Sequence, residues 1–134
     1  MDFEPMDKSL KFDGPDAIEA DVLETFAYEY AGKDAELEIA TDEFTSVCPF
    51  SGLPDFGTLT INYTPNKKCL ELRSLKYYLL SYRNVGIFYE HLANRILEDL
   101  VACCKPKRMT VVGEFTARGG LSSTVTASHP RRKK

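Results

Sequence analysis

The segment FTSVCPFSGLPDFGTLTINY, residues 44–63, contains the end of one predicted strand, a turn and a complete second strand. Over residues 57–63, apolar side chains alternate with polar ones, which predicts a strand with one buried face. The turn is rich in proline and glycine, and it presents Cys48 and, seven residues later, Asp55. Because a structural cysteine usually lies inside a strand or a helix, the segment indicates both a sheet and a candidate site.

The hydrophobic pattern on both sides of this segment predicts further elements. Strands are expected at residues 37–47, 57–63, 69–73, 109–115 and 121–126, and helices at 75–82 and 87–104. The order is therefore strands, two helices, then strands. With short connections, this order predicts an α+β fold in which an antiparallel sheet is covered on one face by a helix pair.

Length and charge set the expected organisation of the chain. It has 134 residues and a net charge of −3, with a block of basic residues at 131–134. We expect one domain over residues 21–128, a flexible polar arm over 1–20 and a basic tail over 129–134. The acidic body argues against direct binding of nucleic acid.

No apolar run approaches the roughly 20 residues that span a membrane. The first residues also lack the cationic start and apolar core of a secretory signal. These two observations predict a cytoplasmic protein with no membrane partner.

The chain has four cysteines, Cys48, Cys69, Cys103 and Cys104, and no CxxC pair. In a reducing compartment, disulfides between them are not expected. Adjacent Cys103 and Cys104 would point to different faces of a helix, which is a poor arrangement for zinc. The sequence therefore predicts no metal site.

Cys48 and Asp55 together suit nucleophilic catalysis. The thiolate is the nucleophilic form of cysteine, and loops with a nearby base favour it. Asp55 can accept the thiol proton and later hand protons to a substrate. Both residues lie on one connection, so they can face the same cleft. On spacing alone, the alternative stays open that Cys48 is a small apolar filler and Asp55 a turn residue.

A second acid lies on the border of the apolar face of the second predicted helix. At about 100° per residue, Glu90 falls between Leu97 and Val101, whereas His91 falls among polar residues. An acid at this border must be paired, serve a ligand or reach water. His91 is expected to be an exposed surface side chain.

Two cations lie three residues apart near the start of the first predicted helix, at Arg73 and Lys76. Cations next to the free N–H groups of a helix start suit a phosphate group. A solvated helix start without a ligand is the alternative interpretation.

Four motifs occur in a fixed order, FTSVCPFSGLPDFG, ELRSLKYYLLSYRN, GIFYEHLANRI and GEFTARGG. In order and spacing, from about residue 43 to residue 120, the chain resembles the short, single-domain NADPH-dependent 7-cyano-7-deazaguanine reductases. These are nitrile reductases of queuosine biosynthesis. The resemblance implies a tunnelling fold, in which antiparallel sheets of several subunits join into a barrel with the helices outside. It also implies active sites between subunits and a homo-oligomer of two stacked pentamers, a decamer.

The resemblance further implies the chemistry of the site. Cys48 would attack the nitrile carbon of 7-cyano-7-deazaguanine (preQ0) and form a covalent thioimide. Asp55 would manage protons at the sulfur and the nitrogen, and Glu90 would accept hydrogen bonds from the guanine-like base. Two hydrides from two NADPH molecules would then give the aminomethyl product (preQ1).

The same resemblance assigns the remaining binding residues. The substrate contacts that it implies besides Glu90 are Tyr89, Glu71 and Ser74. The NADPH contacts that it implies are Arg73, Ser74 and Lys76, together with Arg118, for which contact with the substrate stays open as an alternative.

Two positions depart from the family pattern. Arg73 stands where the family often has lysine, which keeps the charge but changes the geometry. Tyr89 stands where the family usually has histidine, directly before the substrate glutamate. His91 points about 200° away from Tyr89 on an ideal helix and is not an obvious substitute.

Two rival functions follow from the same fold. One is a GTP cyclohydrolase-like enzyme, which would need a zinc site of cysteine and histidine. Only His91 and His129 exist, and neither has a matching cysteine spacing. The other is a non-catalytic tunnelling-fold protein that binds a pterin or a purine, or simply assembles.

Overall fold

A computed structural model describes residues 11–131 of the chain, with the side chain of Arg118 excepted. Within these residues the strands are β1 Thr25–Ala27, β2 Leu37–Val47, β3 Pro54–Thr64, β4 Lys68–Leu70, β5 Arg108–Arg118 and β6 Leu121–His129. The two helices are α1 Leu72–Leu80 and α2 Tyr89–Cys104. Short 3-10 turns at Pro15–Ala17 and Ala20–Val22 precede β1.

Four of the strands form one antiparallel sheet in the order β2-β3-β5-β6, and β1 pairs with β4 in a small second sheet. Helix α2 packs against β5 and β6, while α1 packs against β2 and the 3-10 turn before β1. This arrangement confirms the predicted α+β fold with an antiparallel sheet. Neither helix among residues 11–131 combines the length and apolar character that crossing a membrane requires.

One hydrophobic core joins the inward face of the sheet to both helices. It includes Leu59, Ile61 and Val111 from the sheet, Leu75 and Tyr78 from α1, and Leu92, Ile96 and Leu100 from α2. In β3 the side chains of alternate residues are buried, as the sequence pattern predicts. The strand is longer than predicted, however, and it includes Asp55. Asp55 is therefore a strand residue rather than a turn residue, because it pairs with Ser46 of β2.

The start of α1 also differs from its prediction. The strand expected at 69–73 ends at Leu70, and the helix begins at Leu72 instead of residue 75. The reason is a helix cap, because the Glu71 carboxylate accepts hydrogen bonds from the backbone N–H groups of Arg73 at 2.7 Å and Ser74 at 2.8 Å. Such a cap satisfies donors that have no partner inside the helix.

A partly buried series of side-chain hydrogen bonds joins the two helices. The hydroxyl of Tyr78 lies 2.7 Å from that of Tyr82 and donates to Asp99 on α2 at 2.7 Å, and Arg95 donates to the same carboxylate at 2.8 Å. Burial raises the pKa of both tyrosine hydroxyls, so they stay neutral donors. These hydrogen bonds fix α1 relative to α2.

Parts of the expected arm and of the expected tail lie within the described residues. Of the arm predicted over residues 1–20, only 11–20 lie within the described residues. There Ile18 is buried, and the carbonyl of Asp13 accepts a hydrogen bond from the N–H of Gly86 at 2.9 Å. At the other end, His129 still belongs to β6, where it pairs with Met109. Residues 132–134 of the predicted tail lie outside the described residues.

Candidate active site

Cys48 lies on a tightly closed loop directly after β2. Its backbone N–H donates to the carbonyl of Leu53 at 2.9 Å, and its own carbonyl accepts from the N–H of Gly52 at 2.8 Å. Gly52 has φ 75°, a left-handed conformation that glycine adopts without strain. The loop therefore holds the half-buried Cys48 close to the end of the strand.

The segment before α2 is attached to the same end of β2. The N–H of Val47 donates to the carbonyl of Val85 at 3.0 Å, and the N–H of Ile87 donates to the carbonyl of Val47 at 3.1 Å. These two bonds place the start of α2 beside Cys48, although some 40 residues separate them in the sequence. The contact is long-range, so sequence spacing alone does not reveal it.

A pocket of about 260 Å³ opens at this junction. Its lining includes four of the predicted site residues, which are Cys48, Asp55, Tyr89 and Glu90. Other lining residues come from the β5–β6 hairpin, including Thr116, Leu121, Ser122 and Ser123. One chain thus brings the predicted nucleophile, proton carrier and base-binding acid to one cavity.

The two acids of this pocket have different surroundings. Asp55 is only 4% exposed, whereas Glu90 is exposed in the first turn of α2. A negative charge in the first turn of a helix is stabilised by the helix dipole. Within one pocket, Asp55 is thus shielded from water, whereas Glu90 is open to solvent.

The ring of Tyr89 is stacked on a residue that the sequence did not single out. Its centroid lies 3.7 Å from that of Phe115 on β5, with 7° between the planes. A Cβ atom on Gly113 would lie 2.8 Å from the Phe115 ring, and one on Gly57 would lie equally close. The two glycines therefore leave the space that Phe115 fills. Phe115 belongs to the motif GEFTARGG, but a phenylalanine in a strand has no reactive group that would mark it as a site residue.

The residues predicted around the start of α1 do not join the Cys48 pocket within one chain. Glu71 caps α1, and hydrogen bonds from the Arg73 and Ser74 N–H groups hold the pKa of its carboxyl below the usual value. The hydroxyl of Ser74 accepts from the N–H of Glu24 at 2.9 Å and donates to the carbonyl of Glu71 at 2.8 Å. Arg73 and Lys76 are exposed, and Lys76 lines a separate apolar groove of about 230 Å³ between α1 and β2.

Arg118, predicted to contact NADPH, lies at the end of β5, where its backbone pairs with Leu121. Its side chain is outside the described part of the structure. Since Thr116 and Leu121 both line the Cys48 pocket, the backbone of Arg118 lies next to that pocket.

The other three cysteines are poor nucleophiles. Burial raises the pKa of the Cys69 and Cys103 thiols, and it raises that of Cys104 to about 12. These thiols therefore stay protonated near neutral pH. Within residues 11–131, no group of three or more His, Cys, Asp or Glu side chains is arranged to hold a metal ion.

Comparisons with known proteins connect this chain to one family. A family model described as QueF-like protein matches residues 54–134. The protein named NADPH-dependent 7-cyano-7-deazaguanine reductase from Chlorobaculum tepidum is 57% identical over 113 residues, which is 84% of this chain and 97% of that protein. A protein of the same name from Thermoanaerobacter pseudethanolicus is 52% identical over 128 residues, covering 94% of this chain and 96% of its own length.

A solved structure shows the same relationship at the level of the fold. The crystal structure of an archaeosine synthase QueF-Like in the apo form superposes with a TM-score of 0.65 and 26% identity. The match covers 75% of this chain and 96% of that one. The family model and the long, high-identity matches agree, so the chain belongs to the QueF-like protein family.

Proposed function

We propose that this protein is an oxidoreductase that uses NADPH to reduce the nitrile of 7-cyano-7-deazaguanine to an aminomethyl group in queuosine biosynthesis. The observation that carries the proposal is the identity above 50%, over most of the chain, with reductases of that name. The pocket supports it, because Cys48, Asp55 and Glu90 line one cavity.

The first chemical step is addition of the Cys48 thiol across the nitrile. A bond forms between the sulfur and the nitrile carbon, one carbon–nitrogen π bond breaks, and the thiol proton moves to the nitrogen. Asp55 carries that proton, since it is buried in the same pocket as Cys48. The product is a thioimide, which accepts a hydride more readily than a nitrile does. Covalent capture thus divides one difficult reduction into easier steps.

Glu90 holds the base during this step. The guanine-like edge of the substrate presents a ring N–H and an amino group, which are two donors, and a carboxylate accepts from both. Tyr89, held flat against Phe115, forms an aromatic wall of the pocket next to Glu90. Glu90, the exposed acid at the border of the apolar face of α2, thereby gains the substrate as its hydrogen-bonding partner.

NADPH fits the cations at the start of α1. Arg73 and Lys76 are both exposed and carry the positive charge that a phosphate group of this cofactor requires. Bound NADPH supplies the hydride, with two equivalents needed for each nitrile reduced. Ser74 and Glu71 shape this helix start through their hydrogen bonds, and Arg118 is a further cation on the β5–β6 hairpin.

We propose that each complete site is shared between two copies of the chain in a homo-oligomeric barrel of two stacked pentamers. The start of α1 lies outside the Cys48 pocket of its own chain, so a second copy must bring these residues to the pocket. β2 and β6 are the edge strands of the described sheet, and closure into a barrel would pair them. Exposed apolar side chains occur beside the pocket and on α1, at Phe50, Leu53, Phe56, Leu72, Leu80 and Leu121. These side chains are suited to contacts between subunits.

The cellular setting follows from the same chemistry. A thiol nucleophile and three other free cysteines suit the reducing cytoplasm. The acidic chain acts on the free base and does not need to bind nucleic acid directly.

The function is tested by following NADPH oxidation with 7-cyano-7-deazaguanine as substrate. We expect two NADPH oxidised for each amine formed. Without NADPH, the wild type should gain the mass of one nitrile on Cys48 and a new near-ultraviolet absorbance. The Cys48→Ala variant should show neither signal, while Cys103→Ala should behave as the wild type. An adduct on Cys48→Ala, or no NADPH oxidation by the wild type, would contradict the proposal.

A further inference from the structure

A completely buried hydroxyl lies beside the candidate active site. Ser46, two residues before Cys48, is 0% exposed. Its hydroxyl has no hydrogen-bond partner among the described residues. Folded proteins avoid such groups, because a polar atom that leaves water without gaining a partner destabilises the fold. A serine at this position therefore suggests a reason other than stability.

Ser46 lies directly opposite Asp55. The two residues are Cα partners in the antiparallel pairing of β2 with β3. Side chains of directly opposed residues project from the same face of a sheet, with Cβ atoms about 4.5–5.5 Å apart. Both side chains are buried, and the neighbouring pair on that face, Phe44 with Gly57, is buried as well. A hydrogen bond between hydroxyl and carboxyl group, direct or through one water, is within reach of this register.

We propose that Ser46 is a positioning residue for Asp55, an inference that rests on the proposed function. The Ser46 hydroxyl fixes the orientation of the Asp55 carboxyl group while the thiol proton of Cys48 passes through it to the nitrile nitrogen. Ser46 itself loses no proton and forms no covalent bond. Its effect is on the rate at which the thioimide forms.

A hydroxyl suits this task because it can both donate and accept a hydrogen bond. Once the nitrile is bound, Ser46 would donate to the Asp55 carboxylate before that group receives the thiol proton, and it would accept from the carboxylic acid afterwards. Alanine can do neither, and threonine can do both. The hydroxyl thus supports Asp55 in each of its two protonation states.

The test compares Ser46→Ala with Ser46→Thr and with the control Ser128→Ala, a strand serine outside the pocket. The rate of thioimide formation is measured by absorbance without NADPH, the affinity for the nitrile by titration, and the midpoint of thermal unfolding by calorimetry. Ser46→Ala should form the thioimide about tenfold more slowly or worse, since it loses a hydrogen bond to a reacting group. Its nitrile affinity should be unchanged, because Glu90 is intact.

The thermal midpoint distinguishes this role from a structural one. In the ligand-free protein the Ser46 hydroxyl has no partner among residues 11–131, so its removal should leave the midpoint of Ser46→Ala equal to that of the wild type or raise it. Ser46→Thr should keep most of the rate, and Ser128→Ala should match the wild type. A wild-type rate in Ser46→Ala, or a loss of thermal midpoint in proportion to the loss of rate, would overturn the inference. Absence of the thioimide in the wild type would instead refute the proposed function.

Discussion

The pocket around Cys48 collects its residues from the end of β2, the start of β3, the start of α2 and the β5–β6 hairpin. The start of α1, by contrast, combines a local cap within residues 71–74 with hydrogen bonds to one distant residue, Glu24. The pocket therefore depends on contacts among several distant segments, whereas the helix start depends on a local cap and on Glu24 alone. In the proposed function, residues of one active site thus belong to two regions of the fold that are stabilised in different ways.

The largest effect is expected from Asp55→Asn, a substitution in the pocket. Asparagine keeps the size of the side chain but does not carry a proton as a carboxyl group does, so turnover should fall about 10²–10⁴-fold. The far-ultraviolet circular dichroism spectrum should remain that of the wild type. Steady-state NADPH oxidation measures the effect. Turnover within a factor of two of the wild type would remove Asp55 from the proton transfer.

A mixing experiment tests whether the two regions meet between chains. Cys48→Ala and the double variant Arg73→Gln/Lys76→Gln should each be nearly inactive alone. After joint unfolding and refolding in equal amounts, random assembly leaves about a quarter of the shared sites with both intact regions, so activity should recover to about that fraction.

The control for this mixture uses a triple variant that carries Cys48→Ala, Arg73→Gln and Lys76→Gln in one chain. This triple variant is refolded together with Cys48→Ala. No Cys48 then remains in any subunit, and no recovery is expected. Failure of the first mixture to recover, with normal oligomer size on gel filtration, would show that each site lies within one chain.

The smallest expected effect is on the stability of α1. Glu71→Gln weakens the helix cap, so the midpoint of thermal unfolding at pH 7 should fall by a few degrees. The folded state holds the pKa of Glu71 below its ordinary value of 4.5, so the carboxylate contributes stability above that pH. This contribution is lost as the pH falls through the lower folded value, and the difference between wild type and variant should vanish there.

Calorimetry over a series of pH values from 7 downward, as far as the protein stays folded, measures this prediction. The rate of thioimide formation at pH 7 should change less than in Asp55→Asn. A difference in midpoint that persists unchanged at the lowest pH of the series would show that the carboxylate charge is not what supports the cap.

Much of the fold could be predicted from local pattern. The alternation over residues 57–63 identified β3, and the helical periodicity over 87–104 identified α2 to within two residues at its start. The prediction was wrong at residues 71–73, which were expected to continue a strand, because the Glu71 carboxylate caps a helix there. It also missed β1, whose three residues are held in place by pairing with β4.

The candidate site was predicted less completely. Cys48, Asp55 and Glu90 were named from loop chemistry and helical phase, and one pocket contains all three. Phe115 and Ser46 were not named, because a phenylalanine or serine in a strand has no chemical signature of its own. Only the structure singles them out, Phe115 by a ring centroid 3.7 Å from that of Tyr89 and Ser46 by its Cα pairing with Asp55.

The sequence alone determined the class of fold, the family motifs and the residue types available for chemistry, because periodicity and turn composition are local properties of the chain. Only the tertiary structure decided which of those residues share a pocket. Two hydrogen bonds between Val47 and the segment 85–87 place Glu90 beside Cys48. Contacts of this kind join segments that are tens of residues apart in the sequence. Local sequence patterns do not reveal them, because they depend on how the whole chain packs.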